Sequence, residues 1–152
     1  VEHDDFMKRA LDLSRKAMAV GNLPVGSLIV RDGTVIGTGY NRARSTNDPT
    51  SHAETEAVRD ACRRLATTDL GGTTCYTVME PCPMCCWALL EAGISRLVLG
   101  ARHAGMRRTD YGGYSVEKLL AMTGRRMEIV TGVRTAECEA LRRSDPNWIE
   151  PA

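Results

Sequence analysis

Ser51-His52-Ala53-Glu54 and Glu80-Pro81-Cys82-Pro83-Met84-Cys85 are the stretches on which the reading of this chain turns. The second carries two cysteines separated by two residues. That gap lets both sulfurs meet at the start of a helix, where the positive end of the helix dipole favours thiolates. The first carries an imidazole at the start of another expected helix. His52, Cys82 and Cys85 together make a nitrogen and sulfur donor set, and zinc held by three such protein ligands keeps its fourth position for water. Water in that position has its pKa lowered toward neutrality. Glu54, two residues beyond His52, can then move protons between water and a substrate. Taken alone, a carboxylate in a first helical turn would be only a partner to the helix dipole. Residue type does not separate Cys85 from its neighbour Cys86; the spacing favours Cys82 with Cys85 and leaves Cys86 for the core. A redox Cys-x-x-Cys has no need of His-x-Glu. A closed structural site needs a fourth ligand, for which the spare cysteines, His3 and His103 show no telling spacing.

Working outward, the first segment reads as an amphipathic helix over residues 4–20, with Phe6, Ala10, Leu13, Ala17 and Val20 at helical spacing. Val25 to Val30 is apolar and β-branched, Asp32-Gly33 is a hairpin turn, and Thr34 to Tyr40 returns as a second strand. Residues 41–51 are polar and contain Pro49, hence a loop. A helix over about 52–65 follows, then a strand at 74–79, a helix over about 82–92 and a strand from Ile94 to Leu99. Residues 101–114, rich in arginine and glycine, read as a mobile loop. A short helix from Val116 to Met122, a strand from Met127 to Val130 and a helix over roughly 134–143 complete the order. That order predicts an α/β fold with helices on both faces of one mixed sheet.

The 152 residues are one domain by length, 1–152, without linker, repeat or low-complexity stretch. Hydrophobic residues at 43% and charged residues at 26% are ordinary for a globular protein. A formal net charge of +1 gives no global attraction to nucleic acid or to an anionic membrane. No apolar run reaches the ~18 residues of a spanning helix. The acidic opening Val1-Glu2-His3-Asp4-Asp5 is unlike a secretory signal. With that, the six cysteines read as reduced thiols of a cytoplasmic protein rather than as a disulfide framework.

The pairing of His-x-Glu with a downstream Pro-Cys-x-x-Cys is the signature of zinc nucleobase deaminases. Over nearly its whole length the chain resembles the cytidine-deaminase-like superfamily, in the branch holding fungal cytosine deaminase, bacterial guanine deaminase and tRNA adenosine deaminase. Asn22-Leu23-Pro24-Val25-Gly26 resembles the family's entry to its first strand, and Gly39-Tyr40-Asn41-Arg42 its substrate-binding asparagine turn. Asn47-Asp48-Pro49-Thr50-Ser51-His52-Ala53-Glu54 is close to the guanine deaminase version, and Glu80 to Cys85 is shared by the guanine and tRNA enzymes. The tail, Arg142-Arg143-Ser144-Asp145-Pro146-Asn147-Trp148-Ile149-Glu150, is most similar to fungal cytosine deaminase. The resemblance implies a three-layer α-β-α sandwich around a five-stranded mixed sheet, one Zn2+ per subunit, and homodimers with sites near the interface. It implies hydrolytic deamination of a free nucleobase, with Asn41 bonding the base, the Ala53 N–H holding its carbonyl and the Glu80 carbonyl receiving the leaving amine. From the residues alone, Asn41 reads first as a plain turn residue after the second strand.

Two positions depart from the family pattern. Gly105 stands where an aromatic lid or a functional carboxylate is expected, with His103, Tyr111 and Tyr114 as possible substitutes. Pro151 stands where the cytosine enzyme has a base-contacting aspartate, and proline offers no side-chain acceptor and no N–H. Glu150, one residue earlier, is the replacement expected to reach the pocket, and Trp148 is either a pocket wall or an anchor for the tail. These departures point to a related aminopyrimidine, an aminotriazine or a small aminopurine such as guanine or isoguanine instead of plain cytosine. The rival substrate is adenosine in tRNA, which calls for a basic surface; Arg102, Arg107 and Arg108 cluster, as do Arg125 and Arg126. The rival of another class is a zinc-stabilised, non-catalytic scaffold, which would have no use for Glu54.

Overall fold

Successive strand residues point to opposite faces of a sheet, and here that alternation sorts the apolar side chains into two cores. The computed structural model describes residues 2–151. Its elements are α1 (Glu2–Ala19), β1 (Gly26–Arg31), β2 (Thr34–Tyr40), α2 (Ala43–Thr46), α3 (Ala53–Leu65), β3 (Thr74–Met79), α4 (Pro83–Glu91), β4 (Arg96–Ala101), α5 (Val116–Thr123), β5 (Glu128–Val130) and α6 (Thr135–Arg143). The five strands form one sheet in the order β2-β1-β3-β4-β5. β1 runs antiparallel to β2 and β3, whereas β3, β4 and β5 are parallel, so the sheet is mixed.

Leu28 and Val30 of β1, Tyr76 and Val78 of β3, and Val98 of β4 face one way, onto α1 and α6 through Phe6, Met7, Ala10, Leu11 and Cys138. Ile29, Cys75, Leu97 and Leu99 face the other way, onto α3, α4 and the start of α5 through Ala57, Ala61, Cys86, Leu89 and Val116. The result is the expected three-layer α-β-α sandwich. In α1 the buried stripe is Phe6, Met7, Ala10, Leu11, Ser14 and Ala17; Val20, expected on it, lies past the helix and is exposed. Asp32 and Gly33 both have positive φ, the backbone that a two-residue β-hairpin turn demands.

Three of the differences from the sequence reading bear on the surroundings of the site. The loop over 41–51 contains the one-turn helix α2. β4 begins two residues later than expected, at Arg96, and runs on to Ala101, because it pairs with β3 from Thr74↔Arg96 to Met79↔Ala101. The segment 101–114, expected as a mobile loop, begins with the last residue of β4 and then runs as successive turns closed by backbone hydrogen bonds such as Met106 N–H to Arg102 O at 3.0 Å and Arg108 N–H to His103 O at 2.8 Å. Buried Met106 and His103 pin that segment. No described helix is long and apolar enough to cross a membrane.

Candidate active site

β2 and α3 pack so closely that Gly37 and Gly39 have no room for side chains: a Cβ at Gly37 would fall 2.7 Å from the Ala57 carbonyl oxygen, and one at Gly39 2.4 Å from the Ala53 carbonyl oxygen. This contact holds the N-terminus of α3 against the sheet. His52 is its N-cap. Its N–H donates to Thr55 Oγ1 at 3.1 Å, and that hydroxyl donates to the Thr50 carbonyl at 2.6 Å, which fixes the turn that presents the imidazole. On the other side of the site, Cys82 is the N-cap of α4 with Pro83 in the first turn. Its Sγ accepts from the Cys85 N–H at 3.5 Å. Proline is preorganised for that position, where no N–H is needed. Both helix starts therefore converge at the carboxyl end of β3, the region where open α/β sheets bind ligands.

His52 Nδ1 lies 3.6 Å from Cys82 Sγ and 3.4 Å from Cys85 Sγ. A tetrahedral zinc ion about 2.0 Å from nitrogen and about 2.3 Å from sulfur requires roughly 3.5 Å between those atoms. The three donors, all within 4.8 Å of one another, thus fit that ion, and they are the one such group of three or more among the described residues. Cys86 is buried in the core with Ile29 and Leu89. A hydrogen bond from the Cys85 thiol, with a further one from His52, brings the Cys82 thiol down to about 4 despite burial. Cys85 is correspondingly pushed far up by its bond to Cys82 and by burial, and His52 is raised by its bond to Cys82. The cluster thus shares protons that a divalent cation displaces on binding. None of the six cysteines is in a disulfide.

Glu54 is buried in the first turn of α3 and lines the same cleft. Burial, with the Cys82 thiolate nearby, pushes its carboxyl up to about 7. Asn41 and Ala53 also line the cleft. Asn41 Oδ1 accepts from the Ala43 N–H at 3.1 Å, the turn contact expected of an asparagine, which leaves Nδ2 as its donor. Ala53 is the first residue of α3, so its N–H is one of those a helix leaves without an internal partner.

Glu80 lines the cleft, but its carboxylate is committed elsewhere. It accepts from Arg102 at 3.1 and 3.2 Å, from the His103 N–H at 3.0 Å and from the Val116 N–H at 2.9 Å. Trp148 and Glu150 are not among the residues lining the cleft. The Trp148 indole donates to Glu150 Oε2 at 2.7 Å, and Glu150 pairs with Arg143 at 3.3 Å and Arg107 at 3.5 Å. The wall that the tail and Gly105 were expected to shape is instead built by His103, Tyr111, Arg108 and Arg142. His103, its pKa lowered by burial, meets Tyr111 edge-on at 5.3 Å. The sequence singled out His103 and Tyr111 as substitutes for the lid, but Arg142 carried no signal beyond its place in the tail.

Residues 1–101 match the family model described as the cytidine and deoxycytidylate deaminase zinc-binding region. The chain is similar to the tRNA-specific adenosine deaminase of Aquifex aeolicus, 39% identical over 104 residues, covering 66% of this chain and 69% of that one. It is equally similar to the guanine deaminase of Bacillus subtilis, 39% identical over 104 residues, with 68% and 67% covered. Among solved structures, one from work on A-to-I editing by tRNA:A34 deaminases superposes with a TM-score of 0.80 at 33% identity, over 90% of this chain and 98% of that one. Guanine deaminase from Nitrosomonas europaea superposes with a TM-score of 0.80 at 25% identity, over 93% and 83%. With its fold, its His/Cys/Cys donor set and two thirds of its length all in agreement, the chain belongs to the zinc-binding cytidine and deoxycytidylate deaminase family.

Proposed function

We propose that this protein hydrolytically deaminates a free nucleobase: cytosine or a related aminopyrimidine or aminotriazine, or a small aminopurine such as guanine or isoguanine. The observation that carries the reading is Glu54, a buried carboxylate with a raised pKa in one cleft with His52, Cys82 and Cys85. His52, Cys82 and Cys85 hold one zinc ion, which when bound supplies Lewis-acid activation of water. Glu54 accepts a proton from the attacking water and delivers it to the ring nitrogen next to the amine-bearing carbon. It then carries the second proton to the departing amine, so that water and the amino base give a carbonyl and ammonia. A carboxylate that accepts a proton from water becomes the acid that gives it up, so one side chain serves both directions of transfer. The Ala53 N–H and the Asn41 Nδ2 group hold the base by its carbonyl and ring edge, and Leu23 and Val25 keep water off it. A zinc-stabilised scaffold would have no reason to bury Glu54 beside the metal donors.

The second reading, adenosine within tRNA, is favoured by relatives such as the Haemophilus influenzae tRNA-specific adenosine deaminase, 37% identical over 144 residues. Pairing into homodimers is part of both readings, and the exposed Met84 and Trp87 of α4, beside the zinc donors, are the apolar surface such pairing would cover. The test is ammonia release by zinc-loaded protein from cytosine, 5-methylcytosine, isocytosine, 5-azacytosine, guanine, isoguanine and adenine, beside a Glu54→Ala control. Release from one or a few bases, reduced about 10²- to 10⁴-fold in Glu54→Ala, is expected. Silence on every base combined with inosine formation in tRNA would replace the free-base reading with the second.

A further inference from the structure

The cleft at the zinc donors does not end the concave surface. Leu23, Arg108 and Arg142 line both it and a second cavity of about 350 Å³ between the 107–110 turn and the C-terminal tail. The chemistry of the outer cavity differs from that of the inner one. Arg44, Arg107, Arg108 and Arg142 line it, against only Asp110 and Asp145. Arg107 and Arg108 are engaged, with Glu150 and Asp110 respectively.

Arg142 is the residue out of balance. It sits at the end of α6 and is 7% exposed, yet neither Nε nor Nη1 meets a hydrogen-bond acceptor among the described residues. Asp145, itself 5% exposed, stands 3.6 Å from Nη1, within reach of an ion pair but beyond a hydrogen bond, and also serves Arg44 at 3.7 Å. The Trp148 ring lies against the guanidinium at 4.9 Å and fixes its plane. A buried guanidinium with unmatched N–H groups is destabilising unless an acceptor completes it. A planar fork of donors is matched by an oxyanion, bound bidentately. A neutral base filling only the inner cleft would leave these donors unmatched.

We infer that Arg142, assisted by Arg108, forms an oxyanion subsite adjoining the deaminase cleft, so that the substrate is an amino-heterocycle carrying an oxyanion away from its amine. The inference rests on the deaminase reading of the inner cleft. The oxyanion is a carboxylate on the ring of a free base; a phosphate carried through a ribose is the outcome that would replace the free base by a nucleotide. In both cases the reacting end enters the inner cleft, and the charged end is held at the boundary between the two cavities. Trp148 is then neither a base-stacking wall nor a bare anchor: it positions Arg142.

The test has two readouts on the zinc-loaded full chain. In the first, inorganic phosphate is titrated at constant ionic strength against chloride in a Trp87→Phe background, with the indole fluorescence of Trp148, which lies against Arg142, as the signal. A saturable change is expected in the wild type, weakened in Arg142→Lys and absent in Arg142→Met; no change in the wild type, or the same change in Arg142→Met, overturns the subsite. Arg108→Gln, which should weaken the same signal, keeps the test decisive if Arg142→Met does not fold. In the second, ammonia release is compared between cytosine, 5-carboxycytosine and cytidine monophosphate. An advantage in kcat/KM of at least about thirtyfold for one oxyanion-bearing substrate, collapsing in Arg142→Met, is expected, and which substrate gains it identifies carboxylate or phosphate. Glu54-dependent release from cytosine with no gain from either oxyanion overturns the subsite and keeps the deaminase reading. No Glu54-dependent release from these substrates, from the other bases tested above or from tRNA overturns the deaminase reading and leaves the phosphate titration to judge the subsite.

Discussion

At the scale of single residues, the site depends on which cysteine of an adjacent pair faces which way. Cys85 shares the first turn of α4 with Cys82, whereas Cys86 points into the core with Leu89. Cys85→Ser is therefore expected to lose zinc, measured as metal per chain by atomic absorption, and Cys86→Ser to retain it. Glycine is just as particular at Gly37, where α3 leaves no space for a methyl group. Gly37→Ala is expected to lower unfolding free energy by about 1–3 kcal/mol in urea titration. An unchanged midpoint would mean that α3 can move off the sheet without cost. The donor set was legible because each member lies in a short motif whose spacing suits a metal, and the same motifs carry Glu54 and Asn41 into the cleft beside it. His103 and Tyr111 were visible only as candidates, since nothing local says which side of a turn a ring takes.

Between elements, Glu80 joins the end of β3 to the segment after β4 and to the first turn of α5, through Arg102, His103 and Val116. Burial pushes its carboxyl up, and the hydrogen bonds from Arg102, Val116 and His103 outweigh that and hold it below the usual carboxylate range. A group whose folded pKa is depressed contributes stability that is fully present above its unfolded pKa, near 4.5, and is lost as pH falls through the folded value. Unfolding free energy of the wild type is therefore expected to fall below about pH 4.5. Glu80→Gln should flatten that acid limb and lower stability near neutrality by roughly 3 kcal/mol. Equal acid slopes in the two proteins would remove Glu80 from this role. Patterning gave the order of the main helices and strands, because apolar periodicity is a local property. It missed α2, a single turn held by the Arg42 carbonyl, which accepts from both the N–H and the hydroxyl of Thr46. It also misplaced β4, whose ends are set by pairing with β3 and not by its own composition.

For the molecule as a whole, metal and fold are linked. The three donors come from the starts of α3 and α4, so an ion bound between them ties these two elements together. A ligand that binds only the native state stabilises it by about 4 kcal/mol at a thousandfold excess over its Kd. Chelation is expected to lower the thermal midpoint in scanning calorimetry, and refilling with zinc to restore it. An unchanged midpoint would place the donors outside the cooperative unit. If Trp87 lies in a homodimer contact, Trp87→Glu is expected to convert dimers to monomers by light scattering, and monomers in the wild type would remove that contact.

The sequence by itself determined the zinc donor set. Such donors must sit at fixed short spacings on helix starts, and such spacings survive in the linear order. It also determined the layers, because the strand and helix periods are written residue by residue. Only the tertiary structure decided what surrounds that chemistry. The carboxylate of Glu80 turns away to Arg102, Trp148 and Glu150 bond to each other outside the cleft, and Arg142 comes from the last helix to its wall. Those placements follow from contacts between residues far apart in the chain, which burial and ion pairing select only once the sheet has brought them together.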